Sequence, residues 1–119
     1  SPLFQQLKPQ YCEVSIKKKR AVLNHLNTVH AIAMCNMAEL AGGTMTEVTV
    51  PSTHRWIPKG MTVEYLKKAE TDLVAIATPV DINYDWEKAG EYLVNVDVLD
   101  LNNDKVLHAT ITMWISKKK

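Results

Sequence analysis

Cysteine is nearly absent from the 119 residues. Cys12 and Cys35 are the only two and have no CxxC spacing. They build no disulfide framework in a chain of this size, and a reduced, cytoplasmic protein is expected. The four histidines, His25, His30, His54 and His108, also lack metal-ligand spacing, so neither metal nor other cofactor is expected. No apolar run approaches the roughly 18 residues of a transmembrane helix. Net charge is only +1, which offers no overall field for nucleic acid or an acidic membrane. Repeats, low complexity and an internal linker are missing too. The chain opens Ser1-Pro2-Leu3-Phe4 with no Met and no signal-like stretch, which leaves open that a segment was removed.

What remains is an ordinary globular composition, 46% apolar and 23% charged. The length suits one domain, 1–119, able to bury a core without metal or disulfide staples. Two basic runs stand out, Lys17-Lys18-Lys19-Arg20 and Lys117 to Lys119. They are either solubilising ends or a rim that attracts a phosphorylated carrier.

Tyr11 to Lys19 alternates, with Cys12, Val14 and Ile16 on one side, and predicts a half-buried strand. A helix is expected from about Thr28 to Ala41. Asn27 or Thr28 can cap it, Ala, Met and Leu favour it, and Gly42-Gly43 supplies a stop. The segment is apolar nearly all round, which predicts an almost fully buried helix. Strand-like runs follow at Thr44 to Val50, Met61 to Lys68, Asp72 to Val80, Tyr92 to Asp100 and Val106 to Ser116, separated by proline, glycine and asparagine clusters. One strand, one apolar helix and about five strands predict an α+β fold in which a curved antiparallel sheet wraps a long central helix.

Glu39 is the one formally charged side chain between Arg20 and Glu47. A carboxylate inside an apolar helix is costly, and desolvation would raise its pKa, which marks a candidate site. The alternative is a Glu that reaches the helix end or pairs with a strand cation. Asn24, His25, Asn27, Thr28 and His30 cluster where the chain enters the helix, and a helix N-terminus suits a developing oxyanion. Asn36 lies one turn before Glu39 and either bonds its carboxylate or fills a polar gap. Arg55-Trp56-Ile57-Pro58-Lys59 reads as a carrier-binding loop or as the ordinary start of a strand. Cys35 has no base at hydrogen-bonding spacing and is expected to pack in the core.

The string Asn24-x-x-x-Thr28-x-His30-Ala31, with Glu39 nine residues after His30, resembles the active-site segment of hotdog-fold acyl-CoA thioesterases of the phenylacetate-pathway type. The stretches Asn24 to Gly43 and Arg55 to Ala69 look like a bacterial branch of thioesterase-like proteins. The resemblance implies a hotdog-fold acyl-thioester hydrolase acting on acyl-CoA or acyl carrier protein, as a homodimer or a tetramer. By the same resemblance Glu39 is the general base or nucleophile and the Ala31 amide the oxyanion donor. Asn24 orients water or substrate, and His30 shapes the helix start. Ala31-Ile32 stands where that family has Gly-Gly, and Ile32 adds bulk beside the path of an acyl-pantetheine chain. Ile32, Asn36, Arg55, Trp56 and Lys59 are the expected substrate contacts. Thioester hydrolysis needs little acid help, since the leaving thiol has a pKa near 8.5. The rival reading is a non-catalytic module of the same fold that binds an acyl chain or carrier, or serves dimerisation. A further rival, a hotdog dehydratase or isomerase, would pair a His with the carboxylate, and Glu39 has no His one turn away.

Overall fold

The computed structural model describes residues 3–17 and 31–119; of Leu3, Ala31 and Ile32 only the backbone is described. In chain order the elements are β1 (Leu3–Lys8), β2 (Tyr11–Ile16), α1 (Ala31–Thr49), β3 (His54–Tyr65), β4 (Leu73–Pro79), β5 (Gly90–Leu99) and β6 (Lys105–Lys117). The six strands form one sheet in the order β1-β2-β4-β5-β6-β3, antiparallel throughout. This is the expected α+β architecture, an antiparallel sheet with, among the described residues, one long helix packed against it.

Period-two alternation builds the inner face. Cys12 and Val14, Leu73, Ala75 and Ala77, Val94, Val96 and Val98, and Leu107 to Ile115 at every second position all turn inward and are buried. Against them α1 lays Met34, Met37, Ala38, Ala41 and Met45, spaced three and four apart on one stripe. Alanines on both surfaces, Ala75, Ala77, Ala38 and Ala41, let helix and sheet approach closely.

Two corrections concern α1. The helix is not almost fully buried: one stripe is, and Asn36, Glu39, Glu47 and Val48 are exposed. Nor does it stop at Gly42-Gly43, and the strand expected over Thr44 to Val50 is its last turns. Gly42 is there for close approach. A Cβ on it would lie 2.5 Å from Ile111 Cδ1. Thr46 and Thr49 favour strands by propensity, but Met45 and Thr46 are fully buried, and that packing wins. The two hydroxyls bond back to Gly42 O at 2.8 Å and Met45 O at 2.6 Å. The helix ends just ahead of Pro51, which the preceding residue cannot meet in helical conformation.

Two further differences lie in the strands. β1, unassigned from the sequence, pairs with β2 through a turn in which Gln10 takes φ 68° and donates its N–H to Thr49 Oγ1 at 2.8 Å. A register shift between Phe4 and Gln6 breaks its alternation. Of the two readings of Arg55 to Lys59 the strand is the one found, though it begins earlier than the run expected from Met61: the segment is the first half of β3, an edge strand in which Pro58 is tolerated and the pairing with β6 shifts between Pro58 and Gly60.

Candidate functional site

β3 runs antiparallel to β6 and lies alongside α1. Three contacts fix their relation. Cys35 Sγ sits 3.1 Å from Tyr65 Oη near the start of the helix. Towards its end, a Cβ on Gly43 would lie 3.6 Å from Trp56 Cη2, and Trp56 Nε1 donates to Glu47 Oε2 at 2.8 Å. Helix and strand thus run in opposite directions, touching at both ends. Between the contacts they leave a groove of about 400 Å³, with Ile111 and Met113 as part of its floor and Met61 beside them.

Glu39 lines this groove, and so do Trp56 and Lys59. Glu39 stands midway between Cys35 and Gly43, about 6 Å along the axis from each. Glu39 is exposed, so the burial expected for it is not supplied by the described residues. Among the described residues it has no hydrogen-bond or ion-pair partner, and in particular none in Asn36. Asn36 is exposed on the same side of the helix, one turn earlier. Lys59 falls at the register shift of β3 and holds its ammonium 5.0 Å from the centroid of Trp114.

The other expected site residues fall elsewhere. Arg55 does not reach the Glu39 groove; its Nε donates to Ser116 Oγ at 3.3 Å. It lines a second cavity, of about 460 Å³, with Glu47, Val50, Pro51, Ser52, His54, Trp56 and Lys118. Ala31 is the first described residue of α1, and the Ile32 side chain is outside the description. Asn24 and His30, with the polar cluster from His25 to Thr28, lie outside the described residues. Cys35 is half-buried beside Tyr65 rather than packed in the core; the hydrogen bond to it and some burial push the Tyr65 phenol up. Cys12 is the buried thiol, and burial raises its pKa.

Histidines of the described chain serve structure. His54 Nε2 is 2.6 Å from Trp86 O and its Nδ1 2.8 Å from Thr53 Oγ1. His108 Nδ1 meets Asp97 Oδ1 at 2.7 Å, half-buried on the face of the sheet away from α1. Among the described residues no three His, Cys, Asp or Glu side chains gather as a metal site, and no helix is long and apolar enough to cross a membrane.

The groove residues Gly43, Met61, Ile111 and Met113, and the Glu47 partner of Trp56, carry no sequence signal of a site. They read as a helix stop, core positions and a surface charge. Only the antiparallel lie of α1 on β3 brings them together.

Residues 1–115 match the model of the family described as Domain of unknown function (DUF4442). The chain belongs to that family. This DUF4442 chain is 50% identical to the structural-genomics protein APC5556, with a TM-score of 0.89 over 98% of this chain and 78% of that one. Thioesterase HI1161 from Haemophilus influenzae is 11% identical, with a TM-score of 0.82 over 98% and 78% of the two chains. A hypothetical thioesterase from Streptococcus pneumoniae, solved with coenzyme A, is 14% identical, with a TM-score of 0.78 over 100% and 88%. At such identities the likeness is one of fold, and the fold is the hotdog fold of thioesterase-like proteins. No curated protein matches the sequence at a significant level.

Proposed function

We propose that this DUF4442 protein is an acyl-thioester hydrolase with Glu39 as its central carboxylate, acting on acyl-CoA or an acyl carrier protein. One observation carries the reading: a carboxylate without a partner among the described residues stands at an otherwise largely apolar groove, in the fold shared with thioesterases. An acyl chain fits such a floor, and the carboxylate lies where the thioester carbonyl would stop. Coenzyme A bound to the Streptococcus pneumoniae protein favours a CoA thioester as the first substrate to try.

Glu39 then takes a proton from water as the water oxygen attacks the carbonyl carbon, or attacks that carbon itself and is released by water. The C–S bond breaks, the thiolate takes a proton, and acid and thiol leave. A backbone amide at the start of α1, that of Ala31, is the proposed oxyanion donor. Asn24 and His30 are proposed to orient water and substrate beside it, with Ile32 and Asn36 along the pantetheine path.

These groups cannot serve one thioester within one subunit. Ala31 and Glu39 are eight residues apart on the same helix, about 12 Å along its axis. A two-fold dimer with antiparallel helices brings Glu39 of one protomer to the helix start of its partner, and generates two such sites. It would also cover the open stripe of α1 and withdraw Glu39 from water.

The test is thiol release from a panel of acyl-CoAs. Wild type should turn over and Glu39→Gln should lose at least a hundredfold in kcat/KM. Glu39→Gln as active as wild type ends the role of Glu39. Tight acyl-CoA binding by wild type with no turnover supports instead a binding module of the same fold.

A further inference from the structure

Trp56 lines the Glu39 groove and also a neighbouring cavity beyond it. Its half-buried indole is held on two sides. The six-membered ring faces Gly43 across a space that a methyl group would fill, and the N–H is committed to Glu47 at 2.8 Å. A Cβ on Gly43 would meet this ring in ordinary contact, so a larger side chain there would crowd it. On the far side a second space opens, bordered by Val50, Pro51 and His54 but also by the polar side chains of Glu47, Ser52, Arg55 and Lys118. The indole thus stands between the largely apolar Glu39 groove and this more polar space, about 6 Å along the helix from Glu39.

We propose that Trp56 is the end wall of the acyl site and confines this protein to short acyl groups. The inference rests on the thioesterase reading of Glu39 and adds to it the substrate class. With the carbonyl at Glu39, an acyl chain directed along the floor of Ile111 and Met113 meets the indole after a few carbons. Chains that run further must displace a ring tethered to Glu47 and backed by the helix at Gly43. Removing the indole joins the groove of about 400 Å³ to its neighbour of about 460 Å³. Each methylene buried in the space that the indole vacates then contributes about 0.8 kcal/mol, or roughly fourfold in binding or rate.

The experiment compares butyryl with octanoyl, first as CoA thioesters in turnover and then as the non-hydrolysable butyl- and octyl-CoA thioethers by calorimetry. Wild type should favour the shorter member in both. Trp56→Ala should raise the octyl-to-butyl ratio at least tenfold, and Trp56→Phe, which keeps a ring but loses the bond to Glu47, should keep the short-chain preference. Gly43→Leu fills the groove from the helix side without touching the core, so it should reject the octyl chain further and serves if Trp56→Ala folds poorly. Equal ratios in wild type, Trp56→Ala and Gly43→Leu overturn the wall. The thioether affinities decide this whether or not the protein turns over, whereas absent hydrolysis with an altered affinity ratio overturns the hydrolase reading alone.

Discussion

Two adjacent glycines in α1 should respond to the same substitution with opposite signs. In a helix interior Gly→Ala ordinarily adds about 1 kcal/mol, through backbone entropy. At Gly43 nothing opposes this: the new Cβ would make an ordinary contact of 3.6 Å with Trp56. At Gly42 the Cβ would lie 2.5 Å from Ile111 Cδ1, with Val96 Cγ2 at 3.4 Å and Val94 Cγ1 at 3.6 Å. Ile111 is 4% exposed, so its δ-methyl cannot swing away without disturbing buried neighbours. Overpacking of this kind costs about 1–3 kcal/mol. The net effect of Gly42→Ala is then a loss of about 1 kcal/mol, a fall of roughly 3–6 °C in Tm. Gly43→Ala gains about as much.

The cause can be isolated because one methyl group carries it. Ile111→Val deletes Cδ1 at a cost of about 0.5–1.5 kcal/mol. On that background the next contacts of the new Cβ, at 3.4 and 3.6 Å, are tolerable, and Gly42→Ala becomes stabilising. Urea titrations of the four proteins, at one protein concentration, close a double-mutant cycle with an expected coupling of about 2 kcal/mol. Additivity within about 0.5 kcal/mol would refute the packing account of Gly42. So would equal stabilisation by Gly42→Ala and Gly43→Ala.

A site shared between protomers predicts complementation: inactive Glu39→Ala mixed with inactive Asn24→Ala should regain activity after subunit exchange, because one of the two sites in each mixed dimer is intact. No recovery after proven exchange, or an active monomer, contradicts the shared site. Tyr92 is 1% exposed, and among the described residues its hydroxyl has no hydrogen-bond partner, so Tyr92→Phe should stabilise by about 1 kcal/mol in thermal melts near neutral pH. Burial pushes the Tyr92 phenol up to about 12 from 10. The fold favours the neutral phenol, so this contribution is full below pH 10 and lost as pH climbs through 12; Tyr92→Phe should flatten that alkaline decline, and an unchanged decline counts against Tyr92 as its source.

The sheet was largely legible because period two survives in the sequence. Leu107, Ala109, Ile111, Met113 and Ile115 alternate without interruption, and β6 lies where they place it. Legibility failed where a residue serves two purposes. Gly42-Gly43 reads as a helix stop, since glycine favours helix ends, yet its first member is needed for close approach to Ile111 and its second sits in a helix that packing carries past it. Pro58 and Gly60 read as a loop, yet on an edge strand they accompany a shift in pairing. Phe4 to Gln6 hides β1 in the same way, since one irregular residue reverses the alternation on which the reading depends.

Glu39 was legible as an exception and misread as to its surroundings. Its isolation among apolar residues marks it in the sequence, and it does line the groove. Composition registers that a segment is apolar, not which chain will cover it. One stripe of α1, Met34, Met37, Ala38, Ala41 and Met45, satisfies its own sheet. The opposite side keeps Leu40 and Gly43 half-buried, Val48 exposed and Glu39 open to water. A helix that met only its own sheet would gain by placing more charge on that side. That it carries so little from Ala31 to Thr46 is the sequence counterpart of the dimer proposed above, in which a partner's helix start supplies both the cover and the missing oxyanion donor.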